Sequence, residues 1–233
     1  MSGRRHGLVI AIDGPSGAGK STVAGQLAQR LGYRKIDTGA MYRAMAWLID
    51  RAGIDPADVE ELERLCSAAE IRLDCPNDVQ RVFANGEDVT ELIRTPAMSL
   101  MTSRISALKP VREAMLRAQR LMGQGGGVVL EGRDIGTVVF PDAEVKFYLF
   151  ASPEERGRRR FAELAGKGEQ VTQEETVAEV ARRDLQDSER DLAPLRQADD
   201  AIAIDSSAIG IEEVLGIMEA AIREKISSTE SVT

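Results

Sequence analysis

Gly14-Pro15-Ser16-Gly17-Ala18-Gly19-Lys20-Ser21 constrains this chain more than any other stretch. It fits G-x-x-x-x-G-K-[ST], the P-loop pattern. Leu8-Val9-Ile10-Ala11-Ile12 comes directly before it and reads as a buried parallel strand. After it, Val23, Ala24, Leu27, Ala28 and Leu31 recur at helical spacing, and Gly32 stands at the C-cap. Strand, glycine loop and helix are thus in register, which an ordinary glycine-rich turn does not require. Glycines let the backbone curl so that several N–H groups face one anion. The helix N-terminus adds partial positive charge. The pattern places Gly14, Pro15, Ser16, Gly17, Ala18, Gly19, Lys20, Ser21 and Thr22 on a nucleoside triphosphate, with Lys20 reaching the β- and γ-phosphates and the Ser21 hydroxyl on Mg²⁺.

The 233 residues allow one large domain or one core with insertions. Aromatics make up 4%, so the core must rest on Ala, Val, Ile, Leu and Met. A net charge of −8 argues against a protein that coats nucleic acid. Cys66 and Cys75 form no C-x-x-C, which suits a reduced cytoplasmic protein; both sit on apolar stripes and are expected in the core. His6 is the sole histidine and sits in a polar N-terminal tail, which argues against a Ser-His or Cys-His catalytic pair. Ser2 to His6 faintly resembles a signal-peptide start, but the apolar run after it is short and broken by Asp13, and no membrane span is expected.

Along the chain, Tyr33–Ile36 is a short strand candidate, and Asp37-Thr38-Gly39 turns into a helix from about Ala40 to Ala52. Tyr42 and Arg43 fall in its first turn, where an arginine opposes the helix dipole and suggests a nearby anion; a solvated surface arginine is the alternative. Asp55-Pro56 caps a helix to about Ala69 that buries Val59, Leu62, Leu65 and Cys66. Ile71, Leu73 and Cys75 alternate, as do Val79, Arg81 and Phe83, with turn signals at Pro76-Asn77-Asp78 and Asn85-Gly86. Residues 70–89 therefore read as a small antiparallel insertion. Thr95-Pro96 and Pro110 open two further helices, the second carrying Arg112.

Val128-Val129-Leu130-Glu131 reads as a buried strand ending on an acid, with Gly132-Arg133-Asp134 directly after it. Ligands of parallel α/β sheets bind beyond the carboxyl ends of strands, so Arg133 and Asp134 are expected beside the P-loop. A salt-bridged turn is the alternative. After the strand Val145–Phe150, Ser152-Pro153-Glu154-Glu155 opens a helix with Arg156, Arg158, Arg159 and Arg160. Gly166-Lys167-Gly168 breaks it, and Thr172-Gln173-Glu174-Glu175 caps a second, on which Arg183, Asp187 and Arg190 share one face. Two arginine-rich helices joined by a glycine turn suggest a hinged lid; a solvated charged hairpin is the bland alternative. Ala201–Asp205 is the last strand, the closing helix follows, and the tail from Ser227 is expected to fray. The fold class is α/β: a P-loop three-layer core with a five-stranded parallel sheet flanked by helices, a small antiparallel β insertion and a helical lid.

No N-K-x-D guanine-reading motif is present. Arginines recur at loop and lid positions: Arg43, Arg112, Arg133, Arg159, Arg160, Arg183 and Arg190. Phosphoryl transfer is mostly positioning and charge stabilisation, and the guanidinium fork grips phosphate by two bonds. One triphosphate does not need so many, whereas a second phosphorylated substrate does. A clamp that excludes water prevents waste of ATP by hydrolysis.

The chain resembles the bacterial cytidylate kinases, within the nucleoside monophosphate kinases, nearly end to end. The resemblance rests on Ile12 to Ser21, Asp37-Thr38-Gly39-Ala40-Met41-Tyr42-Arg43, Gly86-Glu87-Asp88-Val89, Ile93-Arg94-Thr95, Val111-Arg112-Glu113-Ala114, Gly132 to Ala143, Arg183-Asp184 and Ala193-Pro194-Leu195. It implies one kinase domain over 1–233, with a core at about 1–37, 123–151 and 198–226, a monophosphate-binding region at about 38–122 and a lid at about 152–192. It implies ATP with CMP or dCMP giving ADP with CDP or dCDP, Mg²⁺ as cofactor, and a cytoplasmic protein with no nucleic-acid or membrane partner; it suggests a monomer, although an acidic surface fits a dimer too.

By the same resemblance, Arg43, Arg133 and Arg190 hold the CMP phosphate. Ser103, Arg112 and Asp134 read the cytosine edge, Thr38 and Tyr42 lie near the acceptor, and Asp187 takes the sugar hydroxyls. Lys20, Arg133, Asp134, Arg159, Arg160 and Arg183 form the catalytic set. Asp13, Lys20 and Ser21 stay with the triphosphate and metal; no typical hydrophobic-Asp metal motif is apparent, which leaves Ser21 as the metal residue. The base assignment has a chemical basis: cytosine offers an N4 donor to a carboxylate, where uracil presents an acceptor. The rivals are another small-molecule P-loop kinase and a nucleotide-dependent switch or RNA-binding regulator.

Overall fold

The computed structural model describes residues 7–75, 80–166 and 168–230. The strands are β1 (Val9–Asp13), β2 (Arg34–Asp37), β3 (Ile71–Asp74), β4 (Arg81–Ala84), β5 (Glu87–Asp88), β6 (Val128–Gly132), β7 (Val145–Phe150) and β8 (Ile202–Asp205). The helices are α1 (Lys20–Leu31), α2 (Thr38–Ala52), α3 (Val59–Ala68), α4 (Pro96–Ile105), α5 (Lys109–Gly123), α6 (Pro153–Gly166), α7 (Gln173–Glu189) and α8 (Ile211–Glu230), with one π-helical turn at Ile135–Val139. The chain divides into two compact units, Met1–Lys35 with Gly123–Thr233, and Ile36–Met122. The Ser2–His6, Pro76–Val79 and Lys167 expectations lie outside the described residues.

The first unit is built on a five-stranded sheet in the order β2-β6-β1-β7-β8. β1 runs parallel to both β6 and β7, and β7 parallel to β8. This is the expected α/β class. β1 is buried along its whole length because Val-Ile-Ala-Ile offers no polar side chain until Asp13 at its carboxyl end. Ile10, Ile12, Val129, Phe147 and Leu149 from the sheet pack with Leu27 of α1 and Leu215 and Met218 of α8. Each such side chain contributes about 1.5–3 kcal/mol relative to exposure. Gly32 closes α1 in the left-handed conformation and donates its N–H to the Gln29 carbonyl at 3.2 Å.

α6 and α7 form a tightly packed pair. A Cβ on Gly157 would lie 2.2 Å from Val177 Cγ2 and 2.7 Å from Val177 Cα, so only glycine allows this approach. The Thr176 hydroxyl donates to the Gly157 carbonyl at 3.0 Å. Thr172 and Glu175 complete the expected capping box at the start of α7.

The second unit carries α2 to α5 and the antiparallel sheet β3-β4-β5. The β4–β5 turn has Asn85 at φ 48° and Gly86 at φ 84°, the two left-handed positions that Asn-Gly supplies. Five local expectations are corrected. α2 starts at Thr38, because the Asp37 carboxylate accepts from Ala40 N–H at 2.8 Å and caps it earlier. α3 starts at Val59: Asp55 is spent on a turn to Ala57 N–H, and Asp58 caps Glu61 N–H instead. Val59 is consequently 57% exposed, while Leu62 and Cys66 are buried. Cys75 lies beyond the end of β3 and is exposed, unlike Cys66. At the far end of the first unit, α8 continues through Ser227 to Glu230.

Candidate active site

The P-loop of the first unit joins β1 to α1. Gly14 has φ 144°, and a Cβ there would fall 1.9 Å from the Leu149 carbonyl oxygen, so β7 forces glycine at this position. Gly17 and Gly19 also adopt positive φ, 79° and 90°. Neighbours hold the loop by its carbonyls. Arg156 Nη1 donates to Ser16 O at 3.0 Å and Ser206 Oγ to Ala18 O at 3.2 Å. Lys20 is 5% exposed, and its ammonium donates to Pro15 O at 2.6 Å. Burial, then the Arg133 charge, pushes the Lys20 pKa down. Ser21 and Thr22 stand on the exposed side of the first turn of α1.

Asp13 closes β1 directly before the phosphate loop, and its charge is felt by Lys20. Both its oxygens are committed to backbone: Oδ1 accepts from Ile135 N–H at 2.8 Å and Oδ2 from Gly136 N–H at 2.7 Å. These are the first donors of the π-helical turn, which has no earlier carbonyl to take them. Burial raises the Asp13 pKa to about 6 despite those two bonds.

Arg133 and Asp134 follow β6 and precede this turn. Arg133 Nε donates to Asp187 Oδ2 at 2.8 Å, and the Asp134 carboxylate lies 4.0 Å from Arg190 Nη2. Arg190 also faces Asp187 at 3.5 Å and donates from Nε to Ala193 O at 2.6 Å. It sits just past the end of α7, in extended backbone. Burial pushes the Asp187 pKa up, but Arg133, Arg190 and Arg183 outweigh it and hold the carboxyl below its usual value. Arg183 feels burial and then Arg133, and both lower its pKa. So Arg133, Asp134, Arg183, Asp187 and Arg190 form one charged cluster whose field reaches Lys20.

The helix-α6 arginines separate by role. Arg159 donates to Glu155 at 2.8 Å and through Nη1 to Ser206 Oγ at 3.2 Å, and Nη1 is 3.9 Å from where a Cβ on Gly19 would sit. Arg160 pairs with Glu163 at 2.8 Å. Arg156 is 3% exposed and joins Ser16 of the loop to Asp184 of α7 at 2.6 Å. Arg156 and Ser206 were not singled out by sequence reasoning for this work. For Ser206 the signal was its place at the carboxyl end of β8. For Arg156 it was the face shared with Arg159 and Arg160.

Glu131 is the other residue that sequence reasoning passed over as a metal candidate. It ends Val128-Val129-Leu130, which is a hydrophobic run closing on an acid. Its carboxylate is 3.1 Å from the Lys35 ammonium, which donates at 2.7 Å to Ser21 Oγ. A hydroxyl and a carboxylate on one cation are hard oxygen donors, and this arrangement fits Mg²⁺. Among the described residues, no three His, Cys, Asp or Glu side chains gather to hold a metal. Few protein donors suffice when phosphates and waters supply the rest.

The second unit carries the remaining candidates. Arg43 pairs with Asp37 at 3.4 Å, so a carboxylate at the helix cap faces this arginine. Thr38 is buried at the start of α2. The Arg112 guanidinium lies 6.0 Å from the centre of the Tyr42 ring and donates to Ser106 O at 3.2 Å. The Ser103 carbonyl accepts from Ser106 Oγ at 3.1 Å. Ser106 therefore links Arg112 to Ser103, and Arg112 itself lies near the Tyr42 ring.

The family model for Cytidylate kinase matches residues 10–224. The chain belongs to the cytidylate kinase family. It is 60% identical over 225 residues to the cytidylate kinase of Geobacter sulfurreducens, covering 97% of each chain. It is 48% identical over 218 residues to that of Bacillus subtilis, covering 94% of this chain and 97% of the relative. Among solved structures, a gluconokinase from Sinorhizobium meliloti is similar at 14% identity and a TM-score of 0.48, over 99% of both chains. A shikimate kinase from Acinetobacter baumannii in complex with shikimate is similar at 14% identity and 0.46, over 94% of this chain and 95% of that one. No helix among the described residues is long and apolar enough to cross a membrane.

Proposed function

We propose that this chain transfers the γ-phosphoryl group of ATP to CMP and dCMP, giving ADP with CDP or dCDP. The observation that carries the reading is the family match from residue 10 to 224, which includes the phosphate loop and every candidate acceptor residue. A phosphate oxygen of the monophosphate attacks the γ-phosphorus, and the bond from that phosphorus to the bridging oxygen breaks. The attacking oxygen carries no proton to remove at neutral pH, so positioning and charge are the enzyme's main work.

The loop from Gly14 to Ser21, with Thr22, cradles the ATP phosphates. Lys20, Arg133, Arg159, Arg160 and Arg183 balance charge on the phosphoryl group in flight. Arg43, Arg133 and Arg190 hold the monophosphate, Asp187 takes the sugar hydroxyls, and Thr38 and Tyr42 also serve the acceptor. Ser103, Arg112 and Asp134 read cytosine. Asp134 accepts from the base N4 amine, which uracil lacks. Ser21 and Glu131 would hold Mg²⁺ with the nucleotide, where it screens the phosphate charges. On the same reading the enzyme works as a cytoplasmic monomer.

The test is ADP release measured with CMP, dCMP, UMP, AMP and GMP as acceptors. Fast turnover confined to the cytosine nucleotides, with UMP well behind, is the expected result. Equal rates with all five would remove the cytosine assignment, and slow ATP hydrolysis with no acceptor would point to a nucleotide switch.

A further inference from the structure

Three oxygens converge on the Lys35 ammonium. Ser21 Oγ is 2.7 Å away, Ser21 O 3.0 Å and Glu131 Oε1 3.1 Å. Lys35 lies on β2, and its aliphatic stem runs along α1, with Cδ 3.8 Å from where a Cβ on Gly25 would sit. Gly25 and Ser21 are one helical turn apart, so the stem follows the helix surface and delivers the charge to its first turn. The lysine side chain is 16% exposed and that of Glu131 8%. This is a partly desolvated cation held by a hydroxyl, a carbonyl and a carboxylate.

A compact ammonium ion with three donors can satisfy the same oxygens that a hard metal cation seeks. We propose that Lys35 is a built-in substitute cation: in the nucleotide-free enzyme it neutralises Glu131 and orders Ser21, and it must leave when Mg²⁺ arrives with ATP. Like charges cannot share the two oxygens at this separation. Bare Mg²⁺ brings no phosphates to reward that displacement, whereas the metal–nucleotide complex does. Lys35 thus discriminates against loading the metal alone. Once displaced, its flexible stem keeps the charge near the phosphates. The inference rests on the reading of Gly14–Ser21 as a Mg–ATP site.

The experiment has two arms. In the first, Mn²⁺ binding to the nucleotide-free protein is followed by electron paramagnetic resonance in wild type, Lys35→Met and Lys35→Gln. Removing the ammonium should tighten Mn²⁺ binding roughly tenfold, because the competing cation is gone. Unchanged affinity in both folded variants overturns the proposal.

The second arm uses the wild-type protein and so does not depend on a variant folding. The Lys35 Nζ resonance is followed while a non-hydrolysable ATP analogue is added, first with EDTA and then with Mg²⁺. A change that requires Mg²⁺ supports displacement by the metal. An unmoved resonance, or the same change in EDTA, overturns it. Calorimetry on the same samples separates the two readings. If the analogue binds and Lys35 stays put, only the substitute-cation role falls. If the analogue does not bind, the ATP-site reading falls with it.

Discussion

Asp13 accepts the Gly136 backbone N–H at 2.7 Å, a bond between the end of β1 and the turn after β6 that spans 123 positions in the chain. Its other oxygen takes the neighbouring Ile135 N–H at 2.8 Å. One carboxylate thereby anchors the segment that carries Arg133 and Asp134. The π-helical turn that starts there bonds Val139 N–H back to Asp134 O at 3.1 Å. Such turns cluster at functional sites because they aim side chains that a regular helix would misplace.

The burial of Asp13, which outweighs these two bonds, sets a pH dependence. Burial raises the Asp13 pKa from 3.8 to about 6. The folded state therefore holds this proton more tightly than the unfolded chain does. The resulting stability is complete below about 4 and is lost as pH rises through about 6. About two units correspond to roughly 3 kcal/mol at most. Asp13→Asn removes the titration, so the stability of wild type relative to the variant should fall between pH 4 and 6 and then level off. Denaturant melts across that range measure it, and parallel curves for the two proteins would contradict the shift.

On the proposed function, Lys20 serves the transferring phosphoryl group. Its ammonium is buried and rests on the Pro15 carbonyl at 2.6 Å. Charge on the bridging oxygen develops only as the phosphoryl group leaves. Lys20→Ala should therefore lower kcat about 10²–10³-fold, the scale of losing one preorganised donor. The KM for CMP should change far less. Steady-state kinetics with CMP varied at saturating ATP separates the two, and lost CMP affinity with normal turnover would assign Lys20 to the acceptor.

Gly14→Ala tests the packing beneath the loop. The new Cβ would meet the Leu149 carbonyl oxygen at 1.9 Å, and φ of 144° disfavours any side chain. Backbone strain and overpacking together should lower stability by roughly 2–4 kcal/mol. Urea unfolding gives the value directly. A loss below about 0.5 kcal/mol, the range of ordinary surface changes, would show that β7 and the loop are not so closely apposed.

Gly157→Ala sets two effects against each other. Alanine in a helix interior gains about 1 kcal/mol over glycine. Here its Cβ would come within 2.7 Å of Val177 Cα, and backbone cannot rotate away as a side-chain tip can. Overpacking of this kind costs about 1–3 kcal/mol, so a net loss is expected. Faster amide exchange in α6 and α7, with the sheet unaffected, is the accompanying signature. A stabilised protein with unchanged exchange would mean the pair is not closely packed.

Much of this arrangement was legible in order of residues alone. Leu8–Ile12 with the glycine loop and Leu27 spacing announced β1 and α1, because burial and phosphate binding both demand local patterns. Asn85-Gly86 named its turn for the same reason, since positive φ is a property of the residue itself. Helix starts were less legible where two acids competed. Asp55 and Asp58 are equal as letters, and only the packed helix selects the second. Val59 and Cys75 looked like core by spacing, yet the helix start and the strand end leave them outside.

What the chain by itself determined was the set of parts: alternating strands and helices, the phosphate loop, the arginine-rich pair of helices and the family to which they belong. Tertiary structure alone decided the pairings: Asp13 with Gly136, Arg156 with Ser16 and Asp184, and Lys35 with Ser21 and Glu131. The reason is range. Periodicity, capping and turn preference act over a few residues, whereas a buried charge takes whichever partner folding brings within about 3 Å, however far away it lies in the chain.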